Sequence, residues 1–267
     1  MNKAQHKTLL QNKYIIHYFV SGIQNKETIV FLHPAFSDHT CFYKQVEFFA
    51  QNFQVIIIDF LGHGLSHQGK GKDKIDKSAE HIKEVLQKEN VEKVHIVGVS
   101  MGSLIAQYFA LQYPEQTSSL TVLGGYNINH NNKEVNQTQR KEMFRWLFKV
   151  IFSMDAFRKY TSSVSAFNQE EQFRFYESAK GFTRKSFPIM SGLGNIIKER
   201  EYVARPYPLL ILTGEKDIEV AKKAAYEWHK EESDSYFFLI EQAGHCANMD
   251  NAERFNTIVL EFILNHT

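Results

Sequence analysis

The sequence predicts an α/β protein built on a doubly wound, mostly parallel sheet of eight strands. Three observations carry this. Short runs rich in β-branched residues recur without polar alternation, Ile29-Val30-Phe31-Leu32 being the clearest, and such runs belong to strands buried on both faces. Stretches with helical spacing fall between several of them, such as Ser78 to Gln87 with Ile82, Val85 and Leu86 on one face. Finally, Val94-His95-Ile96-Val97 runs into Gly98-Val99-Ser100-Met101-Gly102 and then into the amphipathic stretch Leu104 to Tyr113. That is a strand, a sharp turn and a helix, with a serine at the apex.

Taken in order, Thr8 to Leu10 reads as a weak edge strand. Gln11-Asn12-Lys13 joins it to an antiparallel partner, Tyr14 to Val20. Buried strands follow at Ile29 to Leu32, Val55 to Ile58, Val94 to Val97 and Leu120 to Leu123, and later at Leu209 to Leu212 and Tyr236 to Ile240. From Asn127 to Arg200 the rhythm breaks and no strand is predicted. This stretch opens with an Asn-rich linker, Asn127 to Asn136. Phe144, Leu147, Phe148 and Ile151 then fall at helical spacing. Asn168 and Glu171 have the spacing of a capping box, and Gly192 and Gly194 punctuate the end. The expectation is three or four helices inserted after the sixth strand, dividing the chain into 1–126, an inserted helical segment 127–200, and 201–267.

The length of 267 residues suits one large domain with an insertion, and a hydrophobic fraction of 43% is ample for its core. A net charge of +1 favours neither nucleic acid nor an acidic partner. The two cysteines, Cys41 and Cys246, have no metal-type spacing and make no disulfide framework. No apolar h-region follows the N-terminal residues, and no apolar run reaches membrane-spanning length. The expected setting is the cytoplasm, with no membrane or nucleic-acid partner. Oligomeric state, monomer or homodimer, is not legible. The segment Asn127 to Arg200 carries 13 Lys and Arg against 7 Asp and Glu. It holds Arg140, Arg145, Arg158, Arg174, Arg184 and Arg200. These decorate solvated helix faces, or one or two of them face a cleft and hold a substrate carboxylate or phosphate.

A lone serine is a poor nucleophile; it needs a base within hydrogen-bond reach, and the base needs an orienting acid. The strand Leu209 to Leu212 is followed by Thr213-Gly214-Glu215-Lys216-Asp217, and Tyr236 to Ile240 by Glu241-Gln242-Ala243-Gly244-His245. In a parallel sheet both loops lie at the C-terminal strand ends, the same edge as Ser100. Ser100 as nucleophile, His245 as base and Asp217 as orienting acid are therefore the predicted catalytic residues. Glu215 and Glu219 are weaker acids for the role. Asp59 reads as structural, and His33 as a buried hydrogen-bonded histidine. His63 and His67 stand four apart, but Gly62 and Gly64 argue against a helix there, so no metal site is expected. Cys246 reads as packing. No cofactor is called for.

The chain resembles the α/β-hydrolase superfamily over essentially its full length. The matching pieces are His33-Pro34, Asp59-Phe60-Leu61-Gly62-His63-Gly64-Leu65-Ser66, the Gly98-x-Ser100-x-Gly102 elbow, Gly214-x-x-Asp217 and Gly244-His245, in that order. The resemblance implies the α/β-hydrolase fold and places the helical insertion where the family carries its cap. It also implies an oxyanion hole. One N–H would come from Met101, at the start of a helix whose dipole helps, and the other from Ala35. Pro34 replaces the usual glycine before Ala35, which leaves Phe36 as the alternative donor. Tyr126 and Asn127 lack the carboxylate that some relatives place after the sixth strand, which favours Asp217. Relatives with an aspartate at the apex, such as haloalkane dehalogenases and epoxide hydrolases, are excluded by Ser100. The implied activity is a carboxylesterase-like serine hydrolase acting on a small or medium ester, lactone or thioester through an acyl-serine. Most aromatic residues of the 127–200 segment would pack it onto the core by simple burial, and a few would wall an apolar acyl pocket. Carbon–carbon cleavage of a carboxylate-bearing substrate by the same triad is the alternative. A non-catalytic ligand sensor on this fold is a reading of another class.

Overall fold

The computed structural model describes residues 4–25, 27–130, 133–232 and 234–266. The side chains of Arg140, Phe144, Leu147 and Phe148, singled out above, lie outside the described set. The elements run β1 (Gln5–Leu10), β2 (Tyr14–Ser21), β3 (Thr28–Leu32), α1 (Tyr43–Phe49), β4 (Gln54–Ile58), β5 (His67–Gln68), α2 (Ser78–Lys88), β6 (Val94–Val99), α3 (Met101–Gln112) and β7 (Thr117–Leu123). They continue with α4 (Lys133–Phe152), α5 (Met154–Ser165), α6 (Gln169–Ser178), α7 (Ser186–Met190), β8 (Leu209–Gly214), α8 (Glu219–Glu231), β9 (Ser235–Ile240), α9 (Ala247–Asp250) and α10 (Ala252–Leu264).

The sheet order is β1-β2-β4-β3-β6-β7-β8-β9. The pairs β1/β2 and β2/β4 are antiparallel; every pair from β4 through β9 along that order is parallel. This is the predicted doubly wound sheet with one addition. The two-residue strand β5 pairs antiparallel with β2, making a ninth strand. Two residues carry no periodicity, so no sequence pattern marks them. After β3 the chain moves outward to β4 and then returns to lay β6 on the other side of β3. That reversal opens a crevice at the C-terminal strand ends.

Strand alternation divides the core into two layers. Val30, Leu32, Ile56, Ile58 and Ile96 pack on one face with α2 and α3 residues such as Ile82, Val85, Leu104 and Phe109. Ile29, Phe31, Val55, Ile57 and Val97 pack on the other with Phe49 of α1 and Phe255, Ile258 and Val259 of α10. Because both faces of β3 are covered, all five of its residues are buried, as its unbroken apolar run requires.

Among the described residues, four α-helices, α4 to α7, occupy the stretch between β7 and β8. The ends of this stretch are zipped together. Lys198 N–H donates to Ile128 O at 3.0 Å and Arg200 N–H to Asn129 O at 3.1 Å. The Arg200 guanidinium adds bonds to Asn129 Oδ1 and to the carbonyls of Ile196 and Lys198. A small apolar cluster of Phe36, Val150, Phe157 and Phe182, with Phe187 against it, joins the loop after β3 to the inserted helices. Asn168 caps α6, accepting from Glu170 N–H at 2.9 Å, but the reciprocal half of the expected capping box is missing. Asn168 N–H goes instead to Asp250, and Glu171 turns into the core to accept from Tyr43 Oη–H and Lys44 Nζ. Among the described residues no helix is long and apolar enough to cross a membrane.

Candidate active site

Ser100 sits between the last residue of β6 and the first of α3 with φ 52° and ψ −118°, a left-handed backbone that a side-chain-bearing residue rarely adopts. Its N–H is held by Leu123 O of β7 at 2.8 Å, and its carbonyl accepts from both Ser103 N–H at 2.9 Å and Ser103 Oγ at 2.6 Å. The turn is too tight for side chains on either flank. A Cβ at Gly98 would strike the backbone of Gly102 and Ser103, and one at Gly102 would strike the carbonyls of Leu32 and His33. The glycines thus let the start of α3 rest directly on the end of β3.

The structure brings Ser100, His245 and Asp217 together from three separate strand ends. His245 Nε2 lies 2.8 Å from Ser100 Oγ, and its Nδ1 lies 2.9 and 3.0 Å from the two Asp217 carboxylate oxygens. The carboxylate can only accept, so Nδ1–H donates to it and Nε2 is left to accept from the serine hydroxyl. Asp217 is held in turn by Ile218 N–H, which donates to Oδ1 at 2.7 Å. The Asp217 side chain is 1% exposed and that of His245 22%, so the pair is buried with one edge of the imidazole reachable. Burial disfavours the imidazolium, but the Asp217 charge and hydrogen bond outweigh it and hold the His245 pKa above the ordinary 6.5.

The other singled-out residues fall elsewhere. Glu215 accepts from Gln242 N–H and Lys216, and the Glu219 side chain is 90% exposed; neither meets His245. Asp59 is buried. It accepts from the N–H groups of His39 at 2.8 Å and Leu65 at 3.0 Å and pairs with the His39 ring. It thereby braces the loop after β4. His33 is fully buried, its Nε2 accepting from Phe60 N–H. His63 is buried with its ring against Phe182, and His67 is exposed in β5. Among the described residues no group of three His, Cys, Asp or Glu side chains is placed to hold a metal ion. Cys246 is buried, and burial first, then the Asp250 and Asp217 charges, push its thiol pKa up, away from reactivity.

Met101 is the first residue of α3, where an amide has no acceptor within the helix. Phe36 has φ 71° and points its ring at Phe157 and Phe182. Ala35 is half-buried beside the same aromatic cluster. The described arginines of the inserted stretch bond the protein itself. Arg145 pairs with Glu142 and Arg174 with Glu170. Arg158 donates to the carbonyls of Ala179 and Phe182, Arg184 to Val150 O, and Arg200 to the zipped ends.

Two further residues at this site are not among those singled out from sequence. Gly124, just after β7, lies against the His245 ring, and Asp250 accepts the amide of Gly244. A glycine pair following a strand was the one hint for the first. Nothing local marks the second.

A sequence profile for the alpha/beta hydrolase fold matches residues 27–147. A 2-hydroxy-6-oxononadienedioate/2-hydroxy-6-oxononatrienedioate hydrolase of Paraburkholderia phymatum is 27% identical over 270 residues, covering 93% of this chain and 90% of the relative. A thermophilic esterase from Thermogutta terrifontis superposes with a TM-score of 0.81 at 19% identity, covering 98% of this chain and 100% of that one. A 2-hydroxy-6-oxo-6-phenylhexa-2,4-dienoate hydrolase from a Rhodococcus species gives 0.76 at 17% identity, covering 98% and 99%.

Proposed function

Because the chain belongs to the α/β-hydrolase superfamily, we propose that it is a serine hydrolase that cleaves small or medium carboxylic esters, or related lactones and thioesters, through an acyl-serine. The observation that carries this reading is the continuous relay from Ser100 Oγ through His245 to Asp217, with links of 2.8 and 2.9 Å. His245 Nε2 takes the hydroxyl proton as Ser100 Oγ bonds to the carbonyl carbon. The tetrahedral intermediate then collapses as His245 returns that proton to the leaving oxygen or sulfur. Water repeats the cycle on the acyl-serine and frees the acid. Met101 N–H at the α3 N-terminus and Ala35 N–H, with Phe36 N–H as the alternative, would hold the developing oxyanion. Asp217 keeps the imidazole in the tautomer the first step needs.

A second reading is favoured by the Paraburkholderia relative. Its name describes an oxo dicarboxylate with no ester or amide linkage, so hydrolysis there breaks a carbon–carbon bond. The same nucleophile and base serve such chemistry on a carboxylate-bearing substrate. Against it, the five described arginines of the inserted stretch are committed to carboxylates or carbonyls of the protein itself. We therefore place esters first. A screen of p-nitrophenyl esters by chain length, run beside lactones, thioesters and oxo-dienoate dicarboxylates, separates the two. Ester turnover that Ser100→Ala abolishes supports the first reading; turnover confined to the dicarboxylates overturns it in favour of the second.

A further inference from the structure

The loop that carries His245 is fastened on both sides to the inserted helices. Gly244, immediately before the histidine, donates its N–H to Asp250 Oδ2 at 2.9 Å. The same carboxylate accepts from Phe167 N–H at 2.9 Å and Asn168 N–H at 2.8 Å, the residues of the turn between α5 and α6. Cys246, immediately after the histidine, donates its N–H to Ser165 O at 2.7 Å, in the last turn of α5. Loop and turn are in direct contact, since a Cβ at Gly244 would lie 3.1 Å from Phe167 N. Three amides on one carboxylate make a strong, directional clamp.

We propose that Asp250 is a positioning residue that locks the His245 loop onto the α5–α6 turn, so that the inserted helices hold the base in register with Ser100. This rests on the hydrolase reading above and adds to it. The segment that selects substrate would also set the alignment of the catalytic base. Asp250 does not touch the reacting atoms. It acts through the backbone of Gly244, and a displacement of about 1 Å at a base can cost on the order of 100-fold in rate.

The test uses Asp250→Asn, which keeps the shape but removes one acceptor oxygen and the charge. Asp155→Asn serves as the control, because Asp155 pairs with Tyr176 and Lys159 inside the inserted helices, away from the histidine loop. Two readouts are taken. Proton NMR follows the downfield resonance of His245 Nδ1–H, which reports its bond to Asp217 and requires no turnover. Labelling by an organophosphonate and ester kinetics follow the chemistry. The expected result is loss or broadening of that resonance in Asp250→Asn, with kcat and labelling rate falling roughly tenfold and KM changing less than twofold. The Asp155→Asn spectrum and rates should stay as in the parent. A folded Asp250→Asn with the resonance intact and labelling within twofold overturns the proposal. If the parent protein never labels but the resonance is lost in Asp250→Asn, the hydrolase reading falls and the positioning role stands. Should Asp250→Asn not fold, amide exchange in the parent decides. Gly244, Cys246, Phe167 and Asn168 should exchange as one protected unit, and exchange of Phe167 and Asn168 more than tenfold faster than Gly244 overturns the clamp.

Discussion

Gly124 lies against the His245 imidazole: a Cβ there would sit 2.9 Å from Cε1 and 3.0 Å from Nδ1. Gly124 also has φ 63°, and its N–H is fixed by Leu212 O of β8 at 3.0 Å, so it cannot retreat. Gly124→Ala should push the ring off the Ser100–Asp217 line. We expect kcat to fall ten- to 100-fold. The left-handed backbone should add about 1–2 kcal/mol of destabilisation. Steady-state kinetics beside a thermal melt measure both, and a Gly124→Ala enzyme with unchanged kcat would show that the ring has room to spare.

Under the proposed mechanism the acid limb of activity follows from His245. The base must be neutral to accept the serine proton, and its pKa is held above 6.5 by Asp217 against the opposing effect of burial. The kcat/KM profile should therefore fall on acidification with an apparent pKa above 6.5. Asp217→Asn removes the charge that raises it and leaves burial, which lowers it. In that variant the apparent pKa should drop below the parent value, and kcat should fall by about 10⁴-fold through loss of the correct tautomer. A pH–rate profile from pH 5 to 9 on both proteins checks this; an unshifted acid limb would mean that another group controls it.

Acid should also weaken the fold, for a different reason. His63, His81 and His95 are buried neutral, and burial is the first cause that lowers their pKa values, to about 3, about 4 and about 4. Unfolded, each takes up a proton near pH 6.5; folded, they do not until far lower. The unfolded state thus binds more protons, and stability is lost as pH falls from 6.5 toward 4. The slope is at most about 1.4 kcal/mol per pH unit for each histidine. Urea midpoints at pH 7.5 and 5.0 measure it. His95→Gln, which cannot titrate, should flatten the slope, whereas an identical slope would assign the loss to other groups.

Much of the site was readable because it rests on local patterns. Ile29 to Leu32 and Val55 to Ile58 have the unbroken apolar character of strands covered on both faces. Gly98 and Gly102 have a steric need that no other residue meets. Asp217 and His245 follow strands at a spacing that puts them on one edge. The parts that were not readable depend on tertiary neighbours. Asn168 and Glu171 have capping-box spacing, yet Asp250 takes the amide that Glu171 would have served, and Lys44 and Tyr43 take the glutamate. The pairing of His67–Gln68 with β2 is too short to leave a period. Gly124 and Asp250 matter only because of what the fold places against them.

The central claim is that Ser100, activated by His245 and Asp217, is the nucleophile. It is tested most directly by intact-mass spectrometry after exposure to an organophosphonate, with peptide mapping of the adduct. The account predicts one phosphonyl group per chain, located on Ser100, absent from Ser100→Ala and slowed at least 1,000-fold in His245→Ala. An unlabelled parent protein, or an adduct on any other residue that persists in Ser100→Ala, would contradict it.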